Sequence, residues 1–167
     1  MYEVGSLIVY GRNGVCRVEE ISEKEISGEV RLFYILQPVY QKCNITVAVD
    51  NQKVFSRPII SRAEAQELID RLPAITVEPY YNRNLTQLKE YYKNWLESHE
   101  CIKIAEMTKS LYAKRSEAER EKRKFGAVDE RFLKEAEDLL FGELAAALEI
   151  ERSAVPAYIS QCAGALI

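Results

Sequence analysis

The sequence predicts a segregated α+β protein, with a small β-barrel over residues 1–60 and an all-α domain over residues 61–167. Two observations carry this. Up to about residue 60 the apolar residues fall in short, partly alternating runs rich in β-branched and aromatic side chains. From Ser61 onward the apolar period becomes that of an amphipathic helix. A chain of 167 residues, 47% hydrophobic and 29% charged, has room for one ordinary domain or two small ones.

In the first half the strand-like runs are LIVY, VCRVEEI, VRLFYILQPVY and NITVAV. Turn residues separate them. Asn13-Gly14 suits a tight turn, Ser27-Gly28-Glu29 a hairpin, and Asp50-Asn51 ends the fourth run. Four or five strands in sixty residues must curl to bury one apolar face. This half holds seven basic and seven acidic residues and is neutral.

In the second half Ser61 and Glu64 make a capping box ahead of AEAQELIDRL, and Pro73 ends that helix. A linker runs from Pro73 to Pro79. Asn84 and Gln87 form a second capping box opening LTQLKEYYKNWLESHE. CIKIAEMTKSLYAKR is a long helix, and the charged tract after it ends at Gly126. A fourth helix spans Asp129 to Phe141, with continuation into ELAAALEI, and a short fifth begins near Ser153. That gives about five helices.

The net charge of −3 argues against general nucleic-acid binding and leaves only local patches. One exists. Lys114, Arg115, Arg120, Lys122, Arg123 and Lys124 face only Glu117, Glu119 and Glu121, an excess of three positive charges. It suits either a solvated helix end or phosphate contact.

Catalytic patterns are missing from the sequence. Gly11 and Gly14 flank Arg12-Asn13, but no Lys and hydroxyl follow as a P-loop needs, and a strand rather than a helix comes next. A turn between strands accounts for both glycines better than a small-molecule site. His99 stands alone, without an orienting partner, and reads as a surface or capping residue. Cys16, Cys43, Cys101 and Cys162 are scattered and form no zinc pattern; they are expected to be reduced and mostly buried. No enzyme activity, cofactor or metal is expected. With no signal peptide or membrane span in the pattern, a cytoplasmic location is expected.

The run Ile45-Thr46-Val47-Ala48-Val49 is uncharged and strand-prone. It suits either an interior strand or an edge to which a partner adds a strand. On the second reading, a proline at Val47 should weaken partner binding by removing a ladder donor.

Two stretches resemble the CarD/CdnL family of bacterial transcription regulators, related at the N-terminus to the polymerase-binding module of transcription-repair coupling factor. They are VGSLIVYGRNGVCRVEEISEKEISGE, with RPIIS at Arg57–Ser61, and KSLYAKR…DERFLKEAEDLLFGELAAALEI. The resemblance covers roughly residues 1–150. It implies a Tudor-like barrel that binds the RNA polymerase β subunit by strand pairing. It also implies a helical domain that touches promoter DNA at the upstream edge of the bubble, where a tryptophan wedges into the minor groove.

Carried over to this chain, the pairing strand falls on Ile45, Thr46, Val47, Ala48 and Val49. A basic residue of the family matches Lys24, while an arginine of some relatives falls on Ala48. On the DNA side the wedge falls near Leu85. The basic positions after it fall on Gln87, Leu88 and Glu90, with Lys89 and Lys93 nearby and Arg131 retained. Trp95 lies about ten residues too late and reads as packing. The resemblance therefore implies a regulator of promoter open complexes. The alternative is a polymerase-binding adaptor that has lost most DNA contact.

Overall fold

The structure is a computed structural model that describes residues 1–164. The chain divides into two compact units, Met1–Ile59 and Ile60–Ile167.

The first unit is a five-stranded antiparallel sheet. Its strands are β1 (Leu7–Tyr10), β2 (Val15–Ile26), β3 (Glu29–Pro38), β4 (Ile45–Ala48) and β5 (Ser56–Pro58), in the order β4-β3-β2-β1-β5. Alternation puts Ile8, Tyr10, Cys16, Val18, Tyr34, Leu36 and Val47 together as the core of the curled sheet. A register shift between Val18 and Glu20 marks a bulge in β2. Among the described residues the ladder is not closed into a full barrel, so β4 and β5 are its edges. Tyr2 spans the open side. Its N–H donates to Tyr34 Oη at 2.8 Å, and its hydroxyl lies 3.0 Å from Ser56 Oγ.

The glycine pair serves the strand reversal. Residues 11–13 form a single 3-10 turn, and both Gly11 (φ 51°) and Gly14 (φ 74°) are left-handed; Asn13 is not. Gly11 also donates its N–H to Phe55 O at 2.7 Å, and a Cβ there would sit 2.8 Å from Val54 Cγ1. Gly11→Ala therefore adds backbone strain to a clash. It is expected to cost about 2 kcal/mol, read as a lower melting temperature of the sheet unit.

The second unit holds α1 (Arg62–Arg71), α2 (Leu85–Leu96), α3 (Cys101–Arg120), α4 (Ala127–Leu148) and α5 (Val155–Ala163). The Ser61–Glu64 capping box forms in full. The one expected at Asn84–Gln87 forms by half. Asn84 Oδ1 accepts from the N–H groups of Thr86 and Gln87, but Gln87 Oε1 takes Asn82 Nδ2 instead of reaching back. Asn82 Oδ1 accepts the Asn84 N–H in its place.

The helix expected over CIKIAEMTKSLYAKR runs on through SEAER to Arg120, into the charged tract that ends at Gly126. It closes with Lys122 left-handed (φ 53°) and Arg123 N–H on Ala118 O at 2.8 Å. α4 is one unbroken helix from Ala127, and Gly142-Glu143 does not interrupt it. α4 packs against α1, α2, α3 and α5, so it is buried on most sides. Buried Glu143 accepts the Ile60 N–H at 3.2 Å. Arg62 donates to Leu148 O at 2.9 Å, fixing the start of α1 to the end of α4.

Candidate interaction surfaces

In the sheet unit the register identifies which backbone groups face outward. Val49 donates its N–H to Leu32 O at 3.0 Å, and Phe33↔Ala48, Tyr34↔Val47, Ile35↔Thr46 and Leu36↔Ile45 are paired. Antiparallel ladders alternate, so the N–H groups of Ile45, Val47 and Val49 point at β3. Those of Thr46 and Ala48 point away, as does Thr46 C=O, whereas Ala48 C=O accepts from Asn51 N–H at 3.0 Å. The run at 45–49 is thus an edge, which its pattern alone left open. Val49 lies one residue beyond the strand proper. The proline test belongs on Thr46 or Ala48: at Val47, which is buried, it would break the domain's own ladder.

Lys24 lies on β2, two strands from the edge. Its Nζ sits 5.5 Å from the ring centroid of Phe33, which is the register partner of Ala48. Lys24 and Ala48 therefore flank one aromatic ring on the same sheet face.

In the helical unit one end collects most of the features singled out in the sequence. Leu85 opens α2 and is 56% exposed, and Tyr81 is 50% exposed. Tyr81 donates its hydroxyl to Glu117 near the end of α3, and its ring lies 4.7 Å from Lys114 Nζ. The exposed Arg120, Lys122, Arg123 and Lys124 follow at that end, and Arg131 lies on the first turns of α4 with its guanidinium 4.8 Å from the Phe132 ring. The basic tract and the start of α2, separate in sequence, share this end. Lys89 and Lys93 continue the Leu85 face of α2 at helical spacing, so Lys93 stands about 12 Å along the axis from Leu85. Trp95 is half-buried, edge-on to Tyr91 at 6.1 Å with Lys103 Nζ 5.6 Å from its ring.

Beneath this end lies a buried polar cluster that sequence reading missed. Lys114 and Asp129 are 7% and 6% exposed, with Nζ 2.9 Å from Oδ1. The Tyr92 hydroxyl donates to the same Oδ1 at 2.6 Å. Burial, and then this bond, push the Tyr92 phenol far above its ordinary range, so it stays a donor. The cluster joins α2, α3 and α4. A signal was present: Lys114 falls on the apolar stripe Ile104, Met107, Leu111, Ala118.

The cysteines divide evenly, against the expectation that most are buried. Cys16 and Cys101 are buried, and Cys43 and Cys162 exposed. Burial, with a smaller contribution from Cys43, pushes the Cys16 thiol up to about 11. Iodoacetamide at pH 8 should therefore modify Cys43 and Cys162 in the native chain and leave Cys16 intact until the sheet unfolds, as read by peptide mass. Among the described residues no group of three or more metal-ligating side chains clusters, and no helix is long and apolar enough to cross a membrane.

One unit is a curled sheet with an open edge, and the other is a helical unit with one basic, aromatic end. Residues 2–60, about a third of the chain, match the CarD-like/TRCF RID domain, so the sheet unit is similar to the RNA polymerase-interacting domain of that family. The match supports an RNA polymerase-interacting, transcription-related role for the sheet unit. The matched span ends where the helical unit begins.

Proposed function

We propose that the chain docks on the β subunit of RNA polymerase by strand pairing at β4 and modulates promoter open-complex stability through its helical unit at the upstream edge of the bubble. The observation that carries this reading is the outward backbone of Thr46 and Ala48 on the edge of an RID-domain sheet. Lys24 adds a cation on the Ala48 face. The end bearing Leu85, Tyr81, Arg120, Lys122, Lys124 and Arg131 supports the DNA half, because cations hold phosphates and an exposed apolar side chain can wedge a base step. Lys89 and Lys93 extend that surface along α2. Such a role places the protein in the bacterial cytoplasm.

The second reading is an adaptor that holds polymerase without DNA. The acidic Glu90, Glu119, Glu121 and Glu130, exposed among the same elements, favour it, as does Trp95 packed against Tyr91. Polymerase binding measured with and without fork-junction promoter DNA separates the two. A regulator binds the promoter complex more tightly, crosslinks to upstream DNA from a photoreactive residue at Leu85, and shows a salt slope that falls by about 1 for each phosphate contact removed. An adaptor binds equally in both and gives no crosslink.

A further inference from the structure

We infer that the far half of β2 is a second strand-addition edge, separate from β4, and that it takes a strand of a partner protein carrying lysine or arginine at alternate positions. β1 pairs with β2 only over residues 15–17. The segment before β1 reaches one residue further, where Val18 bonds through its N–H to Ser6 O and through its C=O to Gly5 N–H. Among the described residues no strand pairs with that side of β2 after Val18. β3 follows the other side to the tip, from Glu20↔Ile35 to Ile26↔Glu29. Beyond β1, then, β2 is itself an edge, and residues 23–30 are exposed.

Alternation assigns its backbone groups. Leu32 C=O accepts from Val49 N–H and so faces β4, which turns Arg31 and Phe33 toward β2 and their partners Lys24 and Ser22 back toward β3. The N–H and C=O groups of Ile21, Glu23 and Glu25 therefore point outward. The side chains of these three residues share one face, with Tyr34, Leu32 and Val30 as their cross-strand partners. Leu32 and Val30 are exposed. An added strand sets side chains about 5 Å from those of Glu23 and Glu25. Two carboxylates two residues apart, each backed by an exposed aliphatic side chain, match lysine or arginine. The head group meets the carboxylate and the stem lies toward Leu32 or Val30. The same carboxylates select against other occupants. Nucleic-acid phosphates are repelled. A second copy paired antiparallel about Lys24 would set Glu23 against Glu25 and Lys24 against Lys24, and like charges directly opposite destabilise a ladder.

The test uses the full chain and three short capped peptides: valine alternating with lysine, valine alternating with glutamate, and the lysine peptide with every backbone nitrogen methylated. Binding is read by NMR titration and amide exchange. The lysine peptide should slow exchange at Ile21, Glu23 and Glu25 and leave Ser22 and Lys24, already bonded to β3, unchanged. The glutamate and methylated peptides should bind at least about tenfold more weakly. Glu23→Gln with Glu25→Gln should weaken the lysine peptide about five- to tenfold, and Glu23→Lys with Glu25→Lys should transfer the preference to the glutamate peptide. Both positions are exposed, and circular dichroism checks that the variants fold. No saturable binding of the lysine peptide at millimolar concentration would overturn the edge. So would protection confined to Thr46 and Ala48, which would assign strand addition to β4 alone. Equal binding of the lysine and glutamate peptides, or unchanged affinity in the glutamine variant, would overturn the basic occupant.

Discussion

Asp129→Ala is expected to lower the stability of the helical unit by about 3–5 kcal/mol, enough to unfold it near physiological temperature. The substitution leaves the Lys114 ammonium buried without its counter-charge and the Tyr92 hydroxyl without its acceptor. Each is a costly group to strand. The size of the loss does not mean that the ion pair is worth that much. Replacing both partners by apolar residues, Lys114→Met with Asp129→Leu, should recover most of the stability, because the desolvation cost disappears with the charges. A double-mutant cycle from thermal melts checks both statements. Asp129→Asn should fall between wild type and alanine, since it keeps an acceptor for Tyr92 but not the charge.

Ala48→Pro should weaken binding to core RNA polymerase by roughly 10- to 100-fold while leaving the sheet folded. It deletes an outward donor, and edge strands tolerate proline where the N–H faces solvent. Val47→Pro should instead abolish folding of the sheet unit, because its N–H belongs to the pairing with Tyr34 in the core. The pair of variants separates an effect on the partner from an effect on the fold. Titration against immobilised polymerase, beside circular dichroism of each variant, reads the difference.

Much of the fold was legible in the residues, for local reasons. The short apolar run LIVY, the partial alternation in VCRVEEI, the capping box at Ser61 and the stop at Pro73 each act within a few positions, and each has its counterpart in the structure. The misreadings arose where tertiary contacts decide. β2 extends past its apolar run, to Ile26, because the hairpin tip around Ser27-Gly28 stands clear of the core, with both faces exposed and nothing to enforce alternation. The expected continuation of the fourth helix through Gly142 into ELAAALEI holds, with Gly142 buried in a helix that neighbours cover on most sides.

The candidate surfaces were less legible still. Whether 45–49 is an edge depends on what lies beside it, which no pattern within the run encodes. The basic tract meets the start of α2 through tertiary contacts, Tyr81 bonding to Glu117 near the end of α3 and Tyr92 to Asp129 of α4. Lys114 hid inside a run of surface charge, although its place on the apolar stripe marked it.

Amide hydrogen exchange on the full chain, free and bound to core RNA polymerase, measures the β4 edge most directly. Strand pairing there predicts that the amides of Thr46 and Ala48 exchange quickly in the free chain and become protected in the complex, while Val47 and Val49 are slow in both. Unchanged exchange at Thr46 and Ala48, with new protection confined to β5 or to the helices, would contradict docking through β4.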